Sequence, residues 1–388
     1  MSKSKKEFGI RIDKVTLTGF EVKSVKGLIE LQKKREVEVR LYGNDAWWTE
    51  SGEKYSGIKI NKTKYFDMLC FGISKNCQYA MVQLSMERED GSGNLEGFTV
   101  NELRNRLKEI EEFLSKRYGI ESSFSNVGIK NMEIQATIET QCPYEEYARV
   151  LKQLMYYIPG SYQMNGLKIF YEKDCRKTGE IKRKNATYCK NSHHGSGSRN
   201  EGLEITIYNK SAQLVAKGKK VAKNYIRVEI TFIGSGKIKK VFKTNRLNDI
   251  TDKMIHEYYF NFLCDIEESG KKIKENELKS FRRFLKGILK KAREKKAHYL
   301  NQVAIDIINN IYNSEITHSV PLFLDISEIY DEIMNLPNIK NKRLWKKLEE
   351  IACKGEVLSV LAKGDNIRYE EVIAKLKLES SYNNSATT

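Results

Sequence analysis

The chain has 388 residues, with 68 Lys and Arg against 51 Asp and Glu and a formal net charge of +17. That length allows two or three compact units with a substantial core, and 40% hydrophobic with 31% charged residues excludes a disordered chain. A positive surplus of this size draws polyanions, nucleic acid among them, and speeds encounter with them.

Local features remove further classes. No stretch reaches the roughly 20 apolar residues of a membrane span. The opening MSKSKKEFGI is basic but lacks the apolar run of a signal peptide, and no lipidation signal favours a membrane surface. Cys70, Cys77, Cys142, Cys175, Cys189, Cys264 and Cys353 are scattered, odd in number and without a CxxC pair. Neither a zinc site nor a disulfide framework is expected, and reduced thiols in a cytoplasmic protein are. The GxGxxG and GxxxxGK[ST] patterns are missing, which disfavours ATP hydrolysis.

Taken in chain order, the first half reads as strands with a few helices. Residues 8–22, 37–43, 54–60 and 78–87 mix β-branched residues with alternating polarity. A helix is predicted over 101–119, where Leu103, Leu107, Ile110 and Leu114 recur at helical spacing and Gly119 ends the run. The strand NMEIQATIET (131–140) and a helix over 143–158 follow, the latter opened by Pro143 and closed by Pro159-Gly160. From Leu167 the pattern is β again, with a hairpin whose tip is the polar NSHHGSGSRNEG, and then the strand 222–232.

After about residue 250 the signals turn helical. Over 276–300, Phe281, Phe284, Leu285, Ile288, Leu289 and Ala292 make one apolar stripe opposite a basic face. Further helices are predicted near 301–313, 325–335, 341–353, 355–363 and 368–378, with Pro337 separating two of them. The fold class expected is α+β: an antiparallel sheet with flanking helices over 1–235, then an all-helical basic region over 250–378 and a disordered tail over 379–388.

The segment GLEITIYNKSAQL carries the most chemistry. Tyr208 ends a predicted strand and Lys210 stands two residues on. A phenol with a pKa near 10 is a weak nucleophile, and a neighbouring cation favours its anion or steadies charge that develops nearby. The other reading of Tyr208 is an ordinary aromatic strand residue in a chain with 21 tyrosines. Glu133, Glu139 and Glu229 lie on predicted central strands as hard ligands for Mg²⁺ or Mn²⁺, with Asp13 a further candidate. Alternation puts Glu133, Gln135, Thr137 and Glu139 on one face, which could equally be an exposed acidic surface. Arg227 could hold a phosphate or pair with a neighbouring acid.

His193 and His194 are adjacent, so their rings point apart in a strand, and a solvated hairpin tip is the better reading. Around that tip, Lys182, Arg183, Lys184, Lys190 and Arg199 could touch DNA. Between residues 271 and 300 there are 12 Lys or Arg against 3 Glu. Arg282, Arg283, Lys286, Lys290 and Arg293 of that helix are candidate DNA contacts.

The order of NMEIQATIET, IYNK and RVEI resembles the rolling-circle replication initiators, of the filamentous-phage type and of Gram-positive plasmids. The resemblance spans roughly residues 8–235, and no histidine pair of the HUH kind is visible. It implies a site-specific, metal-dependent nickase acting at a replication origin through a covalent 5′-phosphotyrosine. Religation follows synthesis from the freed 3′-hydroxyl. It further implies single- and double-stranded DNA as partner, with a host helicase and a homodimer as further expectations. Tyr188 and Tyr225 rival Tyr208 as nucleophile. A conjugative relaxase with the same chemistry, and a non-enzymatic DNA- or RNA-binding protein, are the alternatives.

Overall fold

A computed structural model describes residues 9–26, 33–35, 37–40, 47–48, 54–55, 57–72, 80–85, 95, 97–173, 181–194, 201–294 and 367–381. Its elements, in chain order, begin with β1 (Arg11–Thr18), β2 (Glu21–Val25), β3 (Val37–Arg40), β4 (Trp47–Trp48), β5 (Lys54–Tyr55), β6 (Gly57–Asn61), β7 (Met68–Gly72) and β8 (Ala80–Ser85). Then come α1 (Val100–Tyr118), β9 (Ile120–Ser123), β10 (Gly128–Thr140), α2 (Ala148–Tyr156), β11 (Lys168–Lys173), β12 (Ile181–His194) and β13 (Glu201–Asn209). The chain closes with α3 (Lys210–Ala216), β14 (Asn224–Ile233), α4 (Ser235–Phe242), α5 (Asp252–Glu294) and α6, a helix over 367–380.

Among the described residues, ten strands form one antiparallel sheet in the order β11-β12-β13-β14-β10-β1-β8-β7-β6-β3. The molecule is therefore mixed α and β, with a large antiparallel sheet and helices that include one near the C-terminus. No helix of the described residues is long and apolar enough to cross a membrane.

The chain divides into two units, each discontinuous in sequence. One comprises residues 1–141, 162–261 and 375–388, the other 142–161 and 262–374. The sheet belongs to the first. Its long central strands β10, β13 and β14 bury one face completely: Met132, Ile134 and Ala136, with Leu203, Ile205, Ile207, Val228, Ile230 and Phe232, are 0% exposed. On that face Phe232 meets Phe242 of α4 and Tyr258 of α5 in edge contacts, while Tyr259 of α5 donates to the Val228 carbonyl at 3.4 Å. In the second unit the Tyr147 hydroxyl donates to Glu371 at 2.8 Å, and Tyr157 packs edge-on against Tyr369.

The sequence locates α1 closely because both ends carry side-chain stops. Thr99 accepts from the Glu102 amide at 3.1 Å and Glu102 accepts from the Thr99 amide at 2.8 Å, a reciprocal cap. Gly119 takes φ +64°, where a Cβ would be strained. Elsewhere the elements depart from expectation. The stretch 8–22 breaks at Gly19, and β2 pairs with β9 outside the large sheet. Residues 143–158 split into a 3₁₀ turn, Tyr144–Tyr147, and α2. The helix expected from residue 276 starts at Asp252 and runs to Glu294. Ser380, in the stretch read as a tail, is a buried residue of α6. The helices expected between 301 and 363 lie outside the described residues.

Candidate active site

Three neighbouring strands in the middle of the sheet bring the polar residues together. Opposed positions share a face, and the register makes rows: Tyr208, Arg227 and Thr137 in one, Glu229 and Gln135 in the next, Thr231 and Glu133 in a third. All lie opposite the apolar face. Asp13 reaches the same group through a bulge in β1. Ile12 pairs with Ile134 and Lys14 with Glu133, leaving Asp13 as the extra residue. A bulge re-aims one side chain and bends its strand locally.

One carboxylate oxygen from each of Asp13, Glu133 and Glu229 lies within 4.8 Å of the others. Three hard oxygen donors at this spacing suit Mg²⁺ or Mn²⁺. The three carboxyls also crowd like charge. Burial, then the charges of Glu229 and Asp13, push the Glu133 carboxyl up to about 8. Glu229 is likewise raised by burial, although Arg227 pulls it down.

Arg227 is 0% exposed and sits 3.5 Å from Asp13 Oδ2 and 3.7 Å from Glu229 Oε1. Its Nε donates to Thr137 Oγ1 at 2.9 Å, Thr137 donates to Gln135 Oε1 at 2.7 Å, and Gln135 Nε2 donates to the Leu95 carbonyl at 3.3 Å. This chain of donors fixes the guanidinium beside two carboxylates. Arg227 is fully buried and pairs with neighbouring acids, one of the two roles open to it from the sequence.

Tyr208 donates from its hydroxyl to Glu229 Oε1 at 2.6 Å, and Thr231 donates to Glu133 Oε2 at 3.4 Å. Burial and the Glu229 charge raise the phenol's pKa above its ordinary value. Lys210, the first residue of α3, is 0% exposed; its ammonium lies 5.8 Å from the Tyr208 ring centre and donates to Gln213 Oε1 at 2.7 Å. Burial, then the Arg227 charge, push Lys210 down to about 7.

No family model matches this chain, and no curated protein matches it in sequence.

Among the residues nominated from sequence, Glu133, Glu229, Tyr208, Arg227 and Asp13 meet here, and Lys210 lies alongside. Glu139 does not join them. It is on the same face of β10 but six residues from Glu133, about 20 Å along a strand, and it pairs with Lys223 at 2.6 Å. Tyr188 pairs with Ile207, so it faces the apolar side and is 1% exposed. Tyr225 shares the site face two residues from Arg227, at the row of Glu139. Lys182, Arg183 and Lys184 belong to β12 and Arg282, Arg283, Lys286, Lys290 and Arg293 to α5, but their side chains lie outside the described residues, as does Arg199. His193 and His194 end β12. Lys190 on that strand is half-buried, and burial lowers its pKa.

Sequence reasoning missed Thr137, Gln135 and Gln213 as supports and undervalued Asp13. A signal for Asp13 was present. Apolar residues fall at even positions at Ile10 and Ile12 and at odd ones at Val15 and Leu17. That change of parity marks one extra residue between them.

Proposed function

We propose that this chain is a metal-dependent DNA nickase of the rolling-circle replication-initiator type, in which Tyr208 is the nucleophile. The observation that carries the reading is the Tyr208 hydroxyl held at 2.6 Å on Glu229, itself one of three convergent carboxylates. The net charge of +17 supports a polyanionic substrate, and the IYNK and RVEI segments supply the resemblance.

Asp13, Glu133 and Glu229 would hold Mg²⁺ or Mn²⁺, which when bound supplies polarisation of the scissile phosphate. The chain's own groups handle the proton and the orientation. As Tyr208 Oη forms its bond to phosphorus, its proton passes to Glu229 Oε1. The bond between phosphorus and the 3′-oxygen breaks, and that oxygen leaves with a proton from solvent as a 3′-hydroxyl. The product is a 5′-phosphotyrosine, and reversal by a 3′-hydroxyl restores the strand. The fixed charge of Arg227 keeps Glu229 and Asp13 oriented, and the Lys210 ammonium lies beside the phenol, where negative charge develops.

The test uses supercoiled DNA carrying the region around the protein's own gene, with Mg²⁺ or Mn²⁺. Nicked circles bearing protein on the 5′ end are expected, lost with EDTA and lost in Tyr208→Phe by at least about a thousandfold, the scale of removing a nucleophile. Nicking that survives Tyr208→Phe would move the role to Tyr225, which shares the site face. Salt-sensitive binding with no nicking at all would overturn the enzyme reading in favour of a binding protein.

A further inference from the structure

A second basic feature lies on the opposite face of the sheet from the carboxylates. Between Gly234 and Arg246 the sequence has five cations, Lys237, Lys239, Lys240, Lys243 and Arg246, and no Asp or Glu. Lys239, Lys240, Lys243 and Arg246 are exposed, and none of the four is in an ion pair among the described residues. Crowding of like charge is felt within the strip. Lys237, half-buried, has its pKa lowered by burial and then by Lys240, with Glu201 at the strip's edge opposing the shift.

An exposed basic run is commonly no more than a solvated surface whose charges are matched by nearby acids. Helix α1 carries five cations and four carboxylates, interleaved and partly paired, as Arg106 with Glu109 at 3.1 Å and Lys116 with Glu112 at 3.2 Å. Its surface is self-neutralising. The strip is not, and it is built on a rigid support. Ile238 and Phe242 are buried, with Phe242 against Phe232 and Tyr258. The backbone is tied at both ends: the Gly234 amide to Asn131 Oδ1 at 2.9 Å, the Ile129 amide to the Asn245 carbonyl at 2.6 Å, and the Leu247 amide to the Val127 carbonyl at 3.1 Å. The first acid after the strip, Asp249, accepts from Thr244 at 3.0 Å.

We infer that α4 and the turn after it, through Lys239, Lys240, Lys243 and Arg246, form a sequence-independent docking surface for the phosphate backbone of duplex DNA. Duplex is favoured over single strand because the strip offers no platform for bases. Single-strand binding draws on aromatic side chains that stack on bases, and the one aromatic residue here, Phe242, is 4% exposed and turned into the core. What the strip presents is charge at fixed positions, which suits backbone contact without base readout. The inference goes beyond the nicking reading and does not rest on it, since a protein without nicking chemistry could dock this way.

The test is the salt dependence of binding of the full chain to a fluorescent duplex of arbitrary sequence. The triple variant Lys239→Gln, Lys240→Gln, Lys243→Gln leaves the buried anchors in place. Removing one lysine–phosphate interaction lowers the slope of log K against log salt by about 0.9, so the triple variant should lower it by about 2 to 3. The control removes the same charge elsewhere: Lys59→Gln, Lys116→Gln, Lys253→Gln, three lysines already paired with Glu38, Glu112 and Glu257. Its slope should change by less than about 1. Equal reductions in both triples would show only bulk charge and overturn the surface. A reduction confined to single-stranded DNA of the same sequence would overturn the duplex assignment. Neither outcome touches nicking, which is read separately on supercoiled DNA.

Discussion

Glu133 lies between two other carboxyls, and burial together with their charges pushes it up to about 8 from an ordinary value of 4.5. The folded protein therefore holds this proton more tightly than the unfolded chain does. The resulting contribution to stability is complete below pH 4.5 and is lost as pH rises through about 8. In metal-free protein, Glu133→Gln, which is neutral at every pH, should match wild type near pH 5. Near pH 9 it should be the more stable by on the order of 5 kcal/mol. Thermal unfolding across that range reads the difference. A variant less stable than wild type at pH 9 would mean that the ionised carboxylate is already compensated, with Arg227 close enough to serve all three acids. Glu139 offers the contrast within the same strand: its carboxylate meets Lys223 in solvent and needs nothing further.

At the level of elements, α6 shows how much the end of the chain contributes. It buries Val372, Ile373 and Leu376. Within the sheet-bearing unit, the Ser380 carbonyl lies 3.1 Å from His256 Nδ1, and Glu379 accepts from the Gly9 amide just ahead of β1. Each buried aliphatic side chain stabilises by about 1.5 to 3 kcal/mol. Truncation before residue 367 should thus cost on the order of 5 kcal/mol and lower the melting temperature by more than about 10 °C. A truncated chain that melts with wild type would show that these interactions do not hold the fold. Such an element is legible in part. The apolar spacing of 368–378 marks its core, while its last turn, ESS, looks like solvent-exposed tail, and its contacts with His256 and Gly9 come from residues far away in sequence. The same division holds for the sheet. Alternation revealed β10 and β14 because one face is apolar and the other polar. It did not reveal β7, whose Leu69, Cys70 and Phe71 are all buried and give a continuous apolar run. Glu133, Glu229 and Tyr208 could be named because each lies on a patterned strand. Their convergence could not, since it depends on which strands are neighbours and on the bulge at Asp13.

Across the whole molecule, the candidate ligands come from strands far apart in sequence that lie side by side in the sheet: β1, β10 and β14. An ion held by all three would bind the folded chain and not the unfolded one, so affinity becomes stability. At a hundred times its dissociation constant, Mg²⁺ or Mn²⁺ should stabilise the protein by about 2.7 kcal/mol. Asp13→Asn should abolish most of that gain, because it removes the donor that only β1 supplies. Glu139→Gln should preserve it, because Glu139 stands well along β10 from the cluster. The measurement is a series of melting curves against metal concentration for the three proteins, with calorimetric titration to count ions. A gain equal in all three would place the ion elsewhere and remove the metal from the nicking reading. A gain confined to wild type and Glu139→Gln, in a protein that nicks no DNA, would keep the metal site and overturn only the chemistry assigned to Tyr208. Stability and strand cleavage therefore report separately on two halves of one arrangement: the carboxylates that tie three strands together, and the phenol that one of them holds.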